Sequence, residues 1–358
     1  MKYTIVTSKG VRQMKRRPFA KQLKTFILKT RRSKNAAPTS PFYAMVQKEF
    51  TDYIRSWRII ILLSLILLTT GASLYASISA LHDLATDEEN NGELFDQAYL
   101  LLKLFTLSDG TLPSFVAFVT FLGPLLGIAL GFDAINAEQN RGTLTRLLAQ
   151  PIPRDYVINA KFVAALFVNV LLFFTLGLSV MGLGILITGI PPTFEEVLRI
   201  FAFLFLCIVY IAFWLNVSIL FSVRFKQATT SAISALAIWL FFSLFYQIIV
   251  NVIAKNIIKP ESAASSEEWI GKQEMILNMM RLSPNYLFTE STTTLLSPSV
   301  RSLGPLTMEQ TAGAIVTPLP LNQSLLLIWP HITGLIAATS ICFAIAYIWF
   351  MRQDIRTN

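Results

Sequence analysis

A chain of 358 residues that is 54% hydrophobic and only 14% charged, with a mean hydropathy of +0.56, has too little polar surface for a soluble domain and reads as a membrane protein. Its formal net charge of +9 would suit nucleic acid, but the charge is local: residues 1–58 hold 15 of the 30 Lys and Arg against two acids, Glu49 and Asp52. Beside an apolar run, that excess marks a cytoplasmic flank, and nucleic acid is set aside as a partner.

Residues 1–41, which include "KRRPFAKQLKTFILKTRRSKNAAPTSP", form a basic tail without a compact apolar core. The tail is expected to be disordered and cytoplasmic, and no cleavable signal peptide is expected. A surface-binding or targeting arm is the rival reading. Residues 42–58 follow with a different pattern. At 100° per residue Phe42, Tyr43, Val46, Phe50, Tyr53, Ile54 and Trp57 fall within an arc of roughly 120°, and Lys, Arg, Glu and Gln take the rest. Met45 alone is out of place. Such a helix is expected to lie in the membrane interface, with Phe42, Val46, Phe50, Tyr53 and Trp57 as its membrane face.

Six apolar runs stand out at about 59–80, 114–132, 162–188, 200–222, 229–253 and 325–350. Each reaches the ~20 residues a helix needs to cross hydrocarbon, and internal satisfaction of every backbone group makes them helices. The expected fold is an all-α integral membrane protein, with six transmembrane helices preceded by an interfacial elbow helix. With the tail inside, the loop of residues 81–113 is outside, and it carries seven acids against Lys103. The loop of residues 133–161, with Arg141, Arg146, Arg154 and Lys161, returns to the cytoplasm. The turn "VRFKQ" is inside too, and both termini are cytoplasmic. The expected divisions are the tail 1–41, the elbow 42–58, helices one to five over 59–253, an extracytoplasmic segment 254–324, and the last helix with its cytoplasmic end over 325–358. Segment 254–324 is too long for a plain connection and is expected to hold helices, including an amphipathic one in "WIGKQEMILNMMRL" broken at "SPNYLF".

The interiors of the six runs contain no Asp, Glu, Lys or Arg. An ion-coupled carrier needs such a group, so that class is disfavoured. Asn169, Asn216 and Gln247 read as interhelical hydrogen-bonding groups, His331 as structural, and Cys207 and Cys342 as packing residues. HExxH, GxSxG and Walker A patterns are absent, so no enzyme chemistry is expected and any energy must come from another chain.

The loop of residues 133–161 stands apart from an ordinary linker. Leu144, Leu147 and Leu148 fall at i, i+3 and i+4, and Glu138 and Arg141 are spaced to pair on a continuous helix. Gly142 and Thr143 make a turn, Thr143 can cap the Leu-bearing helix, and Pro151 ends it. A rigid knob of this kind suits a partner's groove, or else packs on its own spans.

The string "D..N.E...GTL..LL..P.PR......K", from Asp133 to Lys161, resembles the first cytoplasmic loop of type-2 ABC transporter permeases. An elbow like "QKEFTDYIRS", six spans, "LSPNYLF" before the last span and the closing "FMRQDIR" are similar to the family over about residues 42–356. The large loop before the sixth span resembles the branch with permeases for nitrous oxide reductase maturation and gliding motility. The basic extension before Phe42 departs from the pattern, which leaves an added arm or a start at Met45.

The resemblance implies a plasma-membrane exporter subunit of a bacterium or archaeon, paired with a second permease copy and with separate ATP-binding cassette ATPases that hold the ATP and Mg. No cofactor is expected in this chain. It further implies a coupling surface of Glu138, Arg141, Gly142, Thr143, Leu144, Leu147, Leu148 and Pro151, with Arg154 at its exit. The alternative is a membrane scaffold or sensor that docks a cytoplasmic partner through the same loop.

Overall fold

The computed structural model describes residues 40–91, 99–144, 149, 152–257, 266–298 and 318–353. The chain divides into a leading unit, Met1–Pro41, nearly all outside those residues, and a second unit, Phe42–Asn358, to which the following applies. Every regular element described is helical: α1 (Pro41–Arg55), α2 (Trp57–Asn91), α3 (Leu100–Thr106), α4 (Phe115–Gly131), α5 (Asn136–Asn140), α6 (Arg154–Thr188), α7 (Phe194–Arg224), α8 (Ala228–Leu240), a π-helical turn (Phe241–Phe245), α9 (Tyr246–Ile257), α10 (Ser266–Met280), α11 (Pro284–Leu296) and α12 (Leu321–Arg352). Six spans are long and apolar enough to cross a membrane: Trp57–Asp83, Phe115–Asn140, Arg154–Thr188, Phe194–Arg224, Ala228–Lys255 and Leu321–Arg352. These agree with the six apolar runs of the sequence.

Helix α7 is the centre of the bundle, with α4, α6, α8, α11 and α12 all packed against it. Its sequence is apolar on every side, which is the pattern of a fully enclosed helix, and Trp214, Tyr210 and Phe203 are buried along it. Close approach of α4 is set by the small residues of "GPLLGIALG". A Cβ on Gly127 would lie 2.7 Å from the Ile211 carbonyl oxygen, and one on Gly131 would lie 2.8 Å from that of Leu215. Three glycines four residues apart thus let two backbones touch, as membrane helices do where apolar burial gives no drive.

Several boundaries differ from the sequence expectation. Helix α2 continues to Asn91, and the expected acidic outer loop contains the apolar helix α3, whose Leu100, Leu101, Leu102, Leu104 and Phe105 are all buried. The run "YLLLKLF" is too short to span, so the sequence pattern hid it among acids. The break expected at "SPNYLF" falls between α10 and α11, and the stretch also starts a helix: Ser283 precedes Pro284 at the first position of α11, where a missing N–H costs nothing. The apolar runs themselves are free of charge, but two helices extend beyond them. Helices α6 and α7 begin about two turns before the apolar runs at 162 and 200, and this brings buried Lys161, Glu196 and Arg199 onto them. Each of the two cations is held by a carboxylate, which keeps such charges tolerable in an apolar setting.

Candidate functional site

The loop after α4 is fastened to the bundle from its first residue. Asp133 is paired with Arg58 at the start of α2, and the Arg58 guanidinium lies 5.0 Å from the centre of the Phe132 ring. The Ser222 hydroxyl of α7 accepts from the backbone N–H groups of Ile135 at 2.9 Å and Asn136 at 3.3 Å. Those are orphan donors at a helix N-terminus, so Ser222 caps α5 from another helix. At the other end of α5, the Asn140 carboxamide donates to the Lys226 carbonyl oxygen at 2.8 Å, which ties the loop to the α7–α8 turn.

Glu138, on the same short helix, faces inward. Lys161 Nζ of α6 donates to Glu138 Oε1 at 3.0 Å and to Glu49 Oε2 of α1 at 2.7 Å. Lys48 closes the cluster, 2.9 Å from Glu49 and 3.6 Å from Glu138. Lys161 is 5% exposed and Glu49 6%, so the charges are shielded from water and their attraction is little screened. Burial alone pushes the Glu49 carboxyl up, but the Lys161 ammonium and the hydrogen bonds from Lys161 and Lys48 outweigh it and hold Glu49 below the usual carboxylate range. One ammonium thereby joins α1, α5 and α6.

The tip of the loop points outward. Gly142 takes φ +66°, the left-handed conformation that suits glycine, and makes the expected turn. Arg141, Gly142 and Thr143 are exposed, as is Arg154 at the start of α6. The Thr143 hydroxyl donates to the Glu138 carbonyl oxygen at 3.2 Å and closes the turn on itself. The expected Glu138–Arg141 pair is not formed, because α5 stops at Asn140 and Lys161 takes the carboxylate. Leu144 is 1% exposed and packs in the chain's own core. Leu147, Leu148 and Pro151 lie outside the described residues.

The residues assigned to the membrane interface divide between the buried face of α1 and an exposed position, Trp57, at the start of α2. Phe42 meets Tyr156 and Phe50 meets Phe167 edge to face, with ring centres 5.4 and 5.5 Å apart, and Val46 and Tyr53 also pack on the core. Trp57 is exposed at 73%, together with Tyr43 and Ile54. The helix is therefore turned so that Met45 and Glu49 face inward. Met45, the residue misplaced on the helical wheel, was the available signal for this second buried stripe. Glu49 and Lys161 were missed as a pair because nothing in the sequence links residues 112 positions apart.

Among the described residues, no group of three or more His, Cys, Asp or Glu is placed to hold a metal ion. What the site offers is a fixed mount: an exposed polar tip on a base linked to α1, α2, α6 and α7. The family model of ABC-2 family transporter proteins matches residues 43–355, which takes in this mount and all six spans. The chain belongs to that family.

Two curated relatives fit the same assignment. This ABC-2 chain is 27% identical over 214 residues to a probable ABC transporter permease protein NosY of Pseudomonas aeruginosa, a match covering 58% of the chain and 68% of the relative. It is 25% identical over 155 residues to the protein of the same name from Stutzerimonas stutzeri, covering 41% of the chain and 53% of that relative. The ABC-2 permease is thus a multi-pass transmembrane subunit of an ABC transporter.

Proposed function

We propose that this chain is the permease subunit of an exporter driven by a separate ATP-binding cassette ATPase, working as a pair of copies in the bacterial or archaeal inner membrane with its termini in the cytoplasm. ATP and Mg are held by the ATPase, which docks on the tip at Arg141, Gly142 and Thr143 and on the adjoining residues up to Arg154, including Leu147, Leu148 and Pro151. The observation that supports this most is the way the loop is mounted: a displacement of its tip is carried by Glu138, Asp133 and the Ser222 cap on α5 into four helices at once. Rigid-body motion of packed helices is the usual way an interface movement reaches a distant site. Leu144 anchors the loop from inside. The outward direction rests on the resemblance to type-2 permeases.

In this reading α1 lies at the cytoplasmic membrane surface with Tyr43 and Ile54, and Trp57 of α2, toward lipid, and with Phe42 and Phe50 holding it to α6. Its role is to keep the mount at a fixed depth. Co-expression with the cassette ATPase of the same genome tests the assignment. A reconstituted complex with two permease copies, two ATPases and ATP-dependent release of substrate to the far side is the expected result. Recovery of the permease without ATPase, under conditions where both are folded, would overturn it.

A further inference from the structure

A cavity of about 540 Å³ lies between the first turns of α4, the junction of α8 with the π-helical turn and α9, and α11. Of the sixteen described residues around it, ten carry a hydroxyl or carboxamide and none carries a charge. Its donors and acceptors are mixed. Thr120, Thr289 and Thr293 give their hydroxyl protons to carbonyl oxygens one turn back in their own helices, which leaves their oxygens as acceptors. Gln247 makes no hydrogen bond to the described residues. Trp239 and Thr292 are almost wholly enclosed, at 3% and 1% exposure, so the open part of the wall is made by their neighbours.

The walls are held in place from behind. Asn285 donates to the Ser243 hydroxyl and accepts from the Tyr210 hydroxyl at 2.8 Å, and that hydroxyl lies 3.1 Å from the Thr120 carbonyl oxygen. Ser243 is on the π-helical turn, a backbone distortion that recurs at functional sites. The apolar part of the wall combines Val116, Ala117, Leu240 and Leu244 with an aromatic pair, Phe121 and Trp239, which meet edge to face at 5.0 Å.

We propose that this cavity binds a neutral, polyhydroxylated group of the kind found on a hexose. An anion would need surplus donors or a cation, and a metal or ammonium would need carboxylates; neither is present among the described lining residues. A sugar hydroxyl both donates and accepts, which matches a wall of both kinds, and the apolar face of the ring suits the exposed Phe121 ring. That the group belongs to the transported substrate rests on the exporter reading above, but the binding itself does not.

The test uses the full-length permease alone, in phosphatidylcholine–phosphatidylglycerol nanodiscs. Melting is followed with monohexosyl diacylglycerol in the bilayer, with free maltose in solution, and with phosphatidic acid as an anionic comparison. A rise in melting temperature with the hexosyl lipid or with maltose is expected, and the arm that responds identifies a membrane or an aqueous source. The apparent affinity should fall at least about tenfold in Gln247→Leu or Thr293→Val. Phe121→Leu removes the exposed ring and should weaken binding if the other variants do not fold. No shift with either sugar, an equal shift with phosphatidic acid, or unchanged affinity in all folded variants would overturn the proposal. Because the ATPase is absent from this assay, a negative result here leaves docking at the loop untouched, and failure of docking leaves sugar binding untouched.

Discussion

Lys161 of α6 and Glu49 of α1 form a buried ion pair, 2.7 Å between Nζ and Oε2, whose second carboxylate partner is Glu138 of the loop. A shared cation of this sort makes three segments behave as one body. Lys161→Met removes the buried cation and leaves Glu49 and Glu138 only the half-exposed Lys48, and loss of one partner of a buried pair costs about 3–5 kcal/mol at most here. The expected outcome is a clear fall in melting temperature in nanodiscs. A double variant that also carries Glu49→Gln should recover part of it, and equal melting of the single and double variants would count against the shared-cation account.

Acid should loosen this mount. Glu49 is held below the ordinary carboxylate value of 4.5, and so is Glu290 of α11, where burial pushes upward but the hydrogen bonds from His331 and Arg281 outweigh it. A carboxylate with a lowered folded value contributes stability that is complete above the unfolded value and lost as the pH falls through the folded one. Melting temperature should therefore decline below about pH 4.5, and Glu49→Gln should flatten that part of the profile. A wild-type-like slope in Glu49→Gln would show that Glu49 is not responsible.

The α4–α7 contact is expected to be intolerant of added volume. A Cβ on Gly127 meets backbone at 2.7 Å, whereas one on Gly71 of α2 meets nothing within 4 Å. Gly127→Val should cost about 1–3 kcal/mol or more by overpacking, and Gly71→Val much less. Comparison of their melting temperatures decides it, and similar losses would mean that the helices do not touch there.

Arg199 is buried at the start of α7 and holds the approach to α12. It donates to Glu195 at 2.8 Å, to the Leu295 carbonyl oxygen at 2.9 Å and to that of Leu319, while Glu195 accepts from the Leu321 N–H at 3.1 Å. Arg199→Met takes its donors from the Leu295 and Leu319 carbonyl oxygens and leaves Glu195 with the Leu321 N–H alone. Hydrogen exchange at the Leu321 amide should speed up by at least about tenfold while the middle of α7 keeps its protection. Unchanged exchange at Leu321 would contradict a fastening role.

The six spans were legible because an apolar run of such length, unbroken by charge, suits a bilayer crossing and little else. The charges at their ends were not: Lys161, Glu196 and Arg199 sit where the sequence turns polar, and the partners Glu49, Glu138 and Glu195 make the burial of the two cations tolerable. In the same way, the loop's turn could be read from Arg141–Gly142–Thr143, a local signal. The inward rotation of Glu138 depends on Lys161, 23 residues away, and the sequence favoured Arg141 as its partner. For α1, the wheel found one apolar stripe, while the buried stripe through Met45 and Glu49 required knowledge of what α6 presents to it.

The most direct test of the coupling assignment is Arg141→Glu, with ATPase retention and permease melting measured on the same preparation. Arg141 is exposed and holds no ion pair among the described residues, so the permease itself should melt within the small range of surface substitutions, about ±0.5 kcal/mol. Reversal of charge at a docking arginine should cost about 2 kcal/mol or more of association, so that ATPase recovered per permease falls by roughly 30-fold. Full ATPase retention by a stably folded Arg141→Glu permease would contradict the placement of the docking surface at this loop tip.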